Sequence, residues 1–340
     1  MSKIVSFGEI MLRLSPPGFL RFKQTNSFEI VYGGGEANVA VSLANFEEEV
    51  SFITKLPLNP IGEAAAASLR QRNVSIDNIA WGGNRLGVYF LEKGASQRAS
   101  KVVYDRAGSS IAEAELSDFD WGKIFKGADW FHFTGITPAL GENVASICEE
   151  ACKVAKQKGI KVSCDLNYRK KLWDTATAEK TMRRLMKYVD ICIANEEDAE
   201  KVFGIKAADA DIKSGKLSAK GYERVAESLI NEFDFEMVAI TLRESISASD
   251  NRWSAMLFDN ENHYLSKQYE IHIVDRVGGG DSFAAGLIYG LLNYKSKQEA
   301  LEFAVAASCL KHSIEGDFNE VTVSEVEALA NGDGSGRVQR

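Results

Sequence analysis

The chain is 340 residues long, 45% hydrophobic and 26% charged, enough apolar material for a large globular core. Its formal net charge of −8 provides no global basic field for nucleic acid or an anionic membrane, so an anionic ligand must rely on locally clustered cations. The five cysteines are scattered without a CxxC pair, and no basic-then-apolar leader or bilayer-length run occurs; this argues against disulfide and zinc frameworks and leads us to expect a cytoplasmic protein.

Apolar bursts of strand length punctuate the chain. They are IVSF at the start, VSFIT after Glu49, WFHFT from Trp130, KVSCD from Lys161, ICIAN from Ile191 and MVAIT from Met237. Helical period lies between them. From Asn143 to Lys158, Val144, Ile147, Ala151 and Val154 share one face, and the stretches 176–188 and 221–233 read similarly. Such alternation predicts an α/β fold whose parallel sheet is covered by helices on both sides. Two stretches break the pattern, LRLSPPGFLRFKQTNSFEIVY and GVYFLEKGASQRASKVVYDRAG. Their short alternating strands and Pro, Gly, Asn and Ser turns predict a small β appendage, a lid, from about 10–32 and 86–108. Residues 331–340 are expected to form a disordered tail behind a single domain over 1–330.

The stretch DRVGGGDSFAAGL places Gly278, Gly279, Gly280 and Asp281 directly before an apolar helical pattern. In open α/β sheets ligands bind beyond the carboxyl ends of strands, where a glycine-rich turn offers unpaired N–H groups at the positive end of a helix. An acid there satisfies a helix first turn, or it accepts a proton from a hydroxyl that attacks a bound phosphate. No GxxxxGK[ST] or GxGxxG motif competes for the phosphate.

This stretch resembles the DTxGAGD signature of the ribokinase-like (PfkB) carbohydrate kinases through Asp275, Gly278, Gly280 and Asp281; Arg276, Val277 and Gly279 depart from it. The resemblance extends to YGGGEANVAVSLA, which matches GGxxxNxAxxLA at Gly33, Gly34, Asn38, Ala40, Leu43 and Ala44. It implies a ribokinase-like three-layer αβα sandwich with a small β-sheet lid, and an enzyme that uses ATP and Mg²⁺, with a monovalent cation left open. Gly34 would approach the sugar and Asn38 would bond its hydroxyls. NEEDAEKVFG is similar to the NxxE element, so Asn195 would lie at the nucleotide and Asp198, in place of glutamate, would hold the metal through water. In AITLRESISASDN, Thr241 fits the nucleotide-bordering TLGxxG strand, whereas Arg243 replaces glycine and reads either as a phosphate ligand or as a surface arginine.

Within that family the wording FGEIMLRLSP, GVYF, VVYDRAGS and DLNYRKKLW resembles the 2-keto-3-deoxygluconate kinases. That resemblance implies substrate contacts from Glu9, Tyr89, Tyr104, Arg106 and Arg169, and nucleotide contacts from Asn167 and Arg169. A guanidinium suits a sugar acid because it pairs with a carboxylate through two charge-assisted hydrogen bonds. The implied reaction is phosphorylation of the 6-hydroxyl by ATP with Asp281 as base. A family kinase for a neutral sugar or nucleoside, and a non-catalytic sensor on the same fold, are the alternatives. Unpaired lid edges lead us to expect a homo-oligomer built through the lid.

Overall fold

A computed structural model describes residues 1–206 and 219–334. The chain begins with β1 (Lys3–Phe7), β2 (Met11–Ser15), β3 (Glu29–Gly33), α1 (Gly35–Asn45), β4 (Glu49–Ile53), β5 (Lys55–Leu56), α2 (Pro60–Arg70) and β6 (Ala80–Trp81). Next come β7 (Gly87–Glu92), β8 (Lys101–Asp105), α3 (Trp121–Ile124), β9 (Trp130–Thr134), α4 (Glu142–Gln157), β10 (Lys161–Asp165), α5 (Thr175–Leu185) and β11 (Ile191–Asn195). The remainder is α6 (Glu196–Phe203), α7 (Ala219–Phe233), β12 (Met237–Ser245), β13 (Asp250–Phe258), β14 (His263–Leu265), β15 (Tyr269–His272), α8 (Gly279–Asn293), α9 (Lys297–Lys311) and α10 (Val323–Ala330). Residues 335–340 of the expected tail lie outside the described residues.

The main sheet runs β14-β13-β12-β11-β10-β9-β1-β4. The strands from β4 to β12 pair in parallel, as their near-continuous apolar runs require when helices cover both faces. Two buried clusters occupy those faces: one gathers α1, α8 and α9, the other α4, α5 and α7. One expectation needs correction. The sheet is mixed, because β12 runs on past MVAIT to Ser245 and turns back as β13, with β14 and β15 antiparallel beyond it. Residues 246–249 form the turn of this hairpin. Among the described residues no helix is long and apolar enough to cross a membrane.

The lid is a second sheet of order β3-β2-β7-β8. Strand alternation gives it two characters. The row Arg13, Tyr89 and Tyr104, aligned across β2, β7 and β8, turns toward the body. The adjacent row Ile30, Leu14, Phe90 and Val103 turns outward, with Phe22 and Phe28 packed on Phe90. Ile30 and Val103 are 63% and 52% exposed, an apolar surface on the solvent side of the lid.

Arg13 is what fastens the lid. It is fully buried and donates to Asp275 at 2.5 Å and Asp317 at 2.8 Å, while Tyr89 of the neighbouring strand donates to the other oxygen of Asp317. Asp275 begins the loop into α8 and Asp317 lies between α9 and α10, so lid and body share one buried ionic cluster. Removing one partner from a buried ion pair leaves an uncompensated charge and costs about 3–5 kcal/mol. Arg13→Met should lower the unfolding free energy by about that amount in chemical denaturation; a loss below about 1 kcal/mol would mean that the two carboxylates need no guanidinium.

Candidate active site

A cavity of about 500 Å³ opens between the lid and the carboxyl ends of β9 to β12. Every residue to which the sequence analysis assigned a catalytic, substrate, nucleotide or metal contact lines it. Glu9, Gly34, Asn38, Tyr89, Tyr104 and Arg106 stand on the lid side. Asn167, Arg169, Asn195, Asp198, Thr241 and Arg243 stand at the strand ends, and Gly278 to Asp281 occupy the turn into α8.

The glycine turn has three separate explanations. Gly278 caps α8 with φ of 85°, a left-handed conformation, and a Cβ there would lie 2.1 Å from the Asp317 carbonyl oxygen. A Cβ on Gly279 would lie 2.4 Å from the His312 ring, which is wedged against Trp253 with ring centroids 5.2 Å apart. These two glycines are required by the protein itself. Gly280 is different: it is exposed, and a Cβ on it would meet no protein atom and would project into the cavity. The first turn of α8 closes with the Ser282 amide on the Gly278 carbonyl at 2.8 Å, so the amides of Gly279, Gly280 and Asp281 are helix-start donors without an intrahelical acceptor. This cradle fits a phosphoryl group.

Asp281 does not cap its own helix. Its carboxylate accepts from the Asn38 side chain at 2.6 Å across the cavity floor. Desolvation raises its pKa to about 6, offset in part by the Asn38 hydrogen bond and the charge of Arg169. Asn38 was expected to bind sugar hydroxyls. In the structure its Nδ2 donates to Asp281 and its Oδ1 accepts from the Gly34 amide at 3.2 Å, so it braces the Asp281 carboxylate and keeps one N–H for a further acceptor. The helix that carries Asn38 is in turn held by Glu36, a buried carboxylate that accepts from the Thr134 amide at 3.0 Å, the Thr134 hydroxyl at 2.7 Å and the Thr137 hydroxyl. Burial raises the Glu36 pKa to about 7. Sequence reading passed over Glu36, since nothing in GGGEAN marks it as buried.

At the strand ends, Asn195 caps α6 by accepting from the Glu197 and Asp198 amides. Asp198 answers by accepting from the Asn195 amide at 3.3 Å and from the Tyr168 amide at 3.0 Å. A carboxylate so engaged suits contact with a metal through water. Among the described residues no group of three or more His, Cys, Asp or Glu side chains is arranged to ligate a metal, so a divalent ion here would draw most ligands from phosphate and water. Asp165, below Arg169, has its pKa pushed well up by burial and by the charges of Asp198 and Asp281. Arg169 and Arg243 are exposed cations on the rim, and Arg276 beside them donates to the Ala248 carbonyl at 2.9 Å. A polyanion would relieve the repulsion between Arg243 and Arg276.

On the sugar side, Arg106 is buried and ion-paired to Glu9, its guanidinium 5.6 Å from the Tyr104 ring centre. The Arg106 Nε and the Glu9 Oε1 are buried without a hydrogen-bond partner. An unsatisfied donor beside an unsatisfied acceptor is costly to maintain and points to a polar ligand that supplies both. Asp317 also lines this end and was not foreseen. It sits in a polar loop after α9, where no periodic pattern or turn motif distinguishes it from a surface acid.

Comparison with known proteins agrees with this geometry. Residues 1–319 match the model of the pfkB family carbohydrate kinases. The chain is 31% identical to a 2-dehydro-3-deoxygalactonokinase of Haloferax volcanii, covering 98% of each chain. It is 26% identical to a 2-dehydro-3-deoxygluconokinase of Thermoproteus tenax over 96% of this chain and 93% of that one. Its structure matches the crystal structure of a 2-dehydro-3-deoxygluconokinase from Thermotoga maritima with a TM-score of 0.94 and 56% identity, covering 97% and 98% of the two chains. With matches that run over nearly its whole length, the chain belongs to the PfkB family of carbohydrate kinases.

Proposed function

We propose that this protein is an ATP-dependent sugar-acid kinase that phosphorylates the 6-hydroxyl of 2-keto-3-deoxygluconate, also called 2-dehydro-3-deoxygluconate. The observation that carries the reading is the shared cavity: a carboxylate with a raised pKa, the bare amides of a helix start, and two arginines, Arg106 and Arg169, open into one space.

The sugar enters beneath Tyr89 and Tyr104, and its carboxylate pairs with Arg106, whose Nε has no other partner. Asp317 and Glu9 face its hydroxyls. Asp281, aimed by Asn38, takes the proton as the oxygen attacks phosphorus, and the amides of Gly279 and Gly280 receive the charge of the moving phosphoryl group. Arg169, Arg243, Asn167, Asn195 and Thr241 border the nucleotide. Mg²⁺ carried with ATP would neutralise phosphate charge, and Asp198 and Asn195 would hold it through water. The free, buried thiols of Cys148, Cys152, Cys164 and Cys192 suit the reducing cytoplasm. The outward row of Ile30, Leu14, Phe90 and Val103 favours pairing of two lids in a homo-oligomer.

Asp281→Asn should lose on the order of a hundredfold to ten-thousandfold in kcat. Because a folded pKa raised above the unfolded one contributes stability only at low pH, lost as pH rises through about 6, the neutral isostere should be at least as stable as the parent at pH 7.5. In the parent, kcat/KM should fall as pH drops through about 6, the limb of the base. A variant retaining full turnover, or a limb that survives in it, refutes the assignment.

Arg106→Ala should raise KM for the sugar acid by roughly ten- to a hundredfold or more, from a lost charge-assisted pair, without altering KM for ATP. An equal effect on phosphorylation of fructose would point instead to a neutral-sugar kinase. Gly280→Ala should keep stability within about 1 kcal/mol yet lose turnover, whereas Gly279→Ala should cost more stability through the His312 ring. Denaturation curves and initial rates on both variants separate the two roles. Light scattering should give more than the monomer mass, and Ile30→Asp with Val103→Asp should shift it toward the monomer; an unchanged mass would remove the lid from the interface.

A further inference from the structure

Lys311, the last residue of α9, is as buried as the core leucines, a rare setting for a lysine. Its Nζ donates to the Ile314 carbonyl at 3.1 Å. Its chain passes directly behind the glycine turn, since a Cβ on Gly278 would lie 3.2 Å from the Lys311 Cε. Packing alone does not explain it. An apolar side chain would fill that space between α8 and α9 without the cost of desolvating an ammonium.

Charge balance does explain it. Asp275 and Asp317 lie behind the cradle and share one guanidinium, that of Arg13. Two carboxylates against one cation leave an excess negative charge beside the amides of Gly279 and Gly280, where a phosphoryl group must arrive. The charges of Asp275, Asp317 and Asp281 favour the Lys311 ammonium, while burial, the largest influence, and Arg13 oppose it. Its ammonium cancels the excess. In a water-poor interior one uncancelled charge at this range weakens anion binding far more than it would at the surface.

We propose that Lys311 is a resident cation of the phosphoryl site, which keeps the glycine cradle receptive to anions and makes a bound monovalent ion unnecessary there. The inference rests on the kinase reading above and assigns Lys311 as a positioning residue: it touches the turn, not the substrates.

The test begins with the parent enzyme, assayed with ATP, Mg²⁺ and the sugar acid in a buffer whose only monovalent cation is tetramethylammonium. Adding K⁺, Na⁺ or NH₄⁺ should leave the rate unchanged; an absolute requirement for one of them would overturn the proposal. Lys311→Ala should lose on the order of a hundredfold in kcat, the scale of removing one preorganised group from a charge-stabilising site. K⁺ or NH₄⁺ should restore part of that loss in the variant. A folded Lys311→Ala of normal activity, or one whose loss no small cation reverses, would reduce Lys311 to packing. Calorimetric titration with inorganic tripolyphosphate reads the cradle without any sugar: Lys311→Met should bind it at least about tenfold more weakly than the parent, a difference of about 1.4 kcal/mol. If the parent binds tripolyphosphate in this Lys311-dependent way yet phosphorylates no sugar acid, the kinase reading fails and the charge role stands. If it phosphorylates the acid while Lys311→Met binds tripolyphosphate normally, the charge role fails alone.

Discussion

The buried contact of Arg13 with Asp275 and Asp317 is the constraint on which the rest of the molecule is arranged. Three distant parts of the chain meet there: a lid strand, the loop into α8, and the loop between α9 and α10. Asp275 accepts not only from Arg13 but from the amides of Val277 and Gly316, so one carboxylate sets the path of the glycine turn and ties it to the neighbouring loop. Asp317 takes Tyr89 as well as Arg13, and its carbonyl lies against Gly278. A lid held in this way cannot shift at its root without disturbing the phosphoryl cradle. Buried ion pairs are weak contributors to net stability but strong specifiers of a unique arrangement; here the arrangement specified is the distance between sugar pocket and helix start.

The sequence made the architecture legible where the physics is local. Parallel strands enclosed by helices must be apolar on both faces, and WFHFT, KVSCD and ICIAN are. Period-2 alternation with turn residues marked the lid strands, although the sense of their two faces emerges only from the register that aligns Arg13 with Tyr89 and Tyr104. What could not be read was the β12–β13 hairpin, since its polar turn and the short strands after it carry no periodicity that separates an edge from a loop. The site divides along the same line. Residues within glycine-bearing motifs were identifiable because backbone geometry demands glycine there. Arg13, Glu36, Lys311 and Asp317 were not, because an ionisable residue in a short or polar segment reads as surface until tertiary contacts bury it.

That burial also shows how the site obtains its electrostatics. Ionisable groups with almost no exposure surround a polar cavity: Glu36 and Asp317 line it, and Arg13, Asp275 and Lys311 lie behind its walls. Each would be destabilising alone. They are tolerable together because each is matched: Arg13 by two acids, Glu36 by two threonine hydroxyls and an amide, Lys311 by the carboxylate charge that Arg13 leaves over. Charges fixed in this way need no reorganisation when a phosphoryl group moves, whereas charges on a solvated surface would be screened and would have to turn.

The position of Asp281 completes the argument. Its raised pKa comes chiefly from burial, against the Asn38 strut and the charge of Arg169; Asp165 is likewise pushed up, first by burial and then by the charges of Asp198 and Asp281, and Arg169 opposes that rise as well. Two carboxylates on one cavity floor are therefore both held above the usual carboxylate range. Asp281, at about 6, lies beside the bare amides, where a carboxylate of that basicity suits the proton acceptor that the proposed kinase reaction requires.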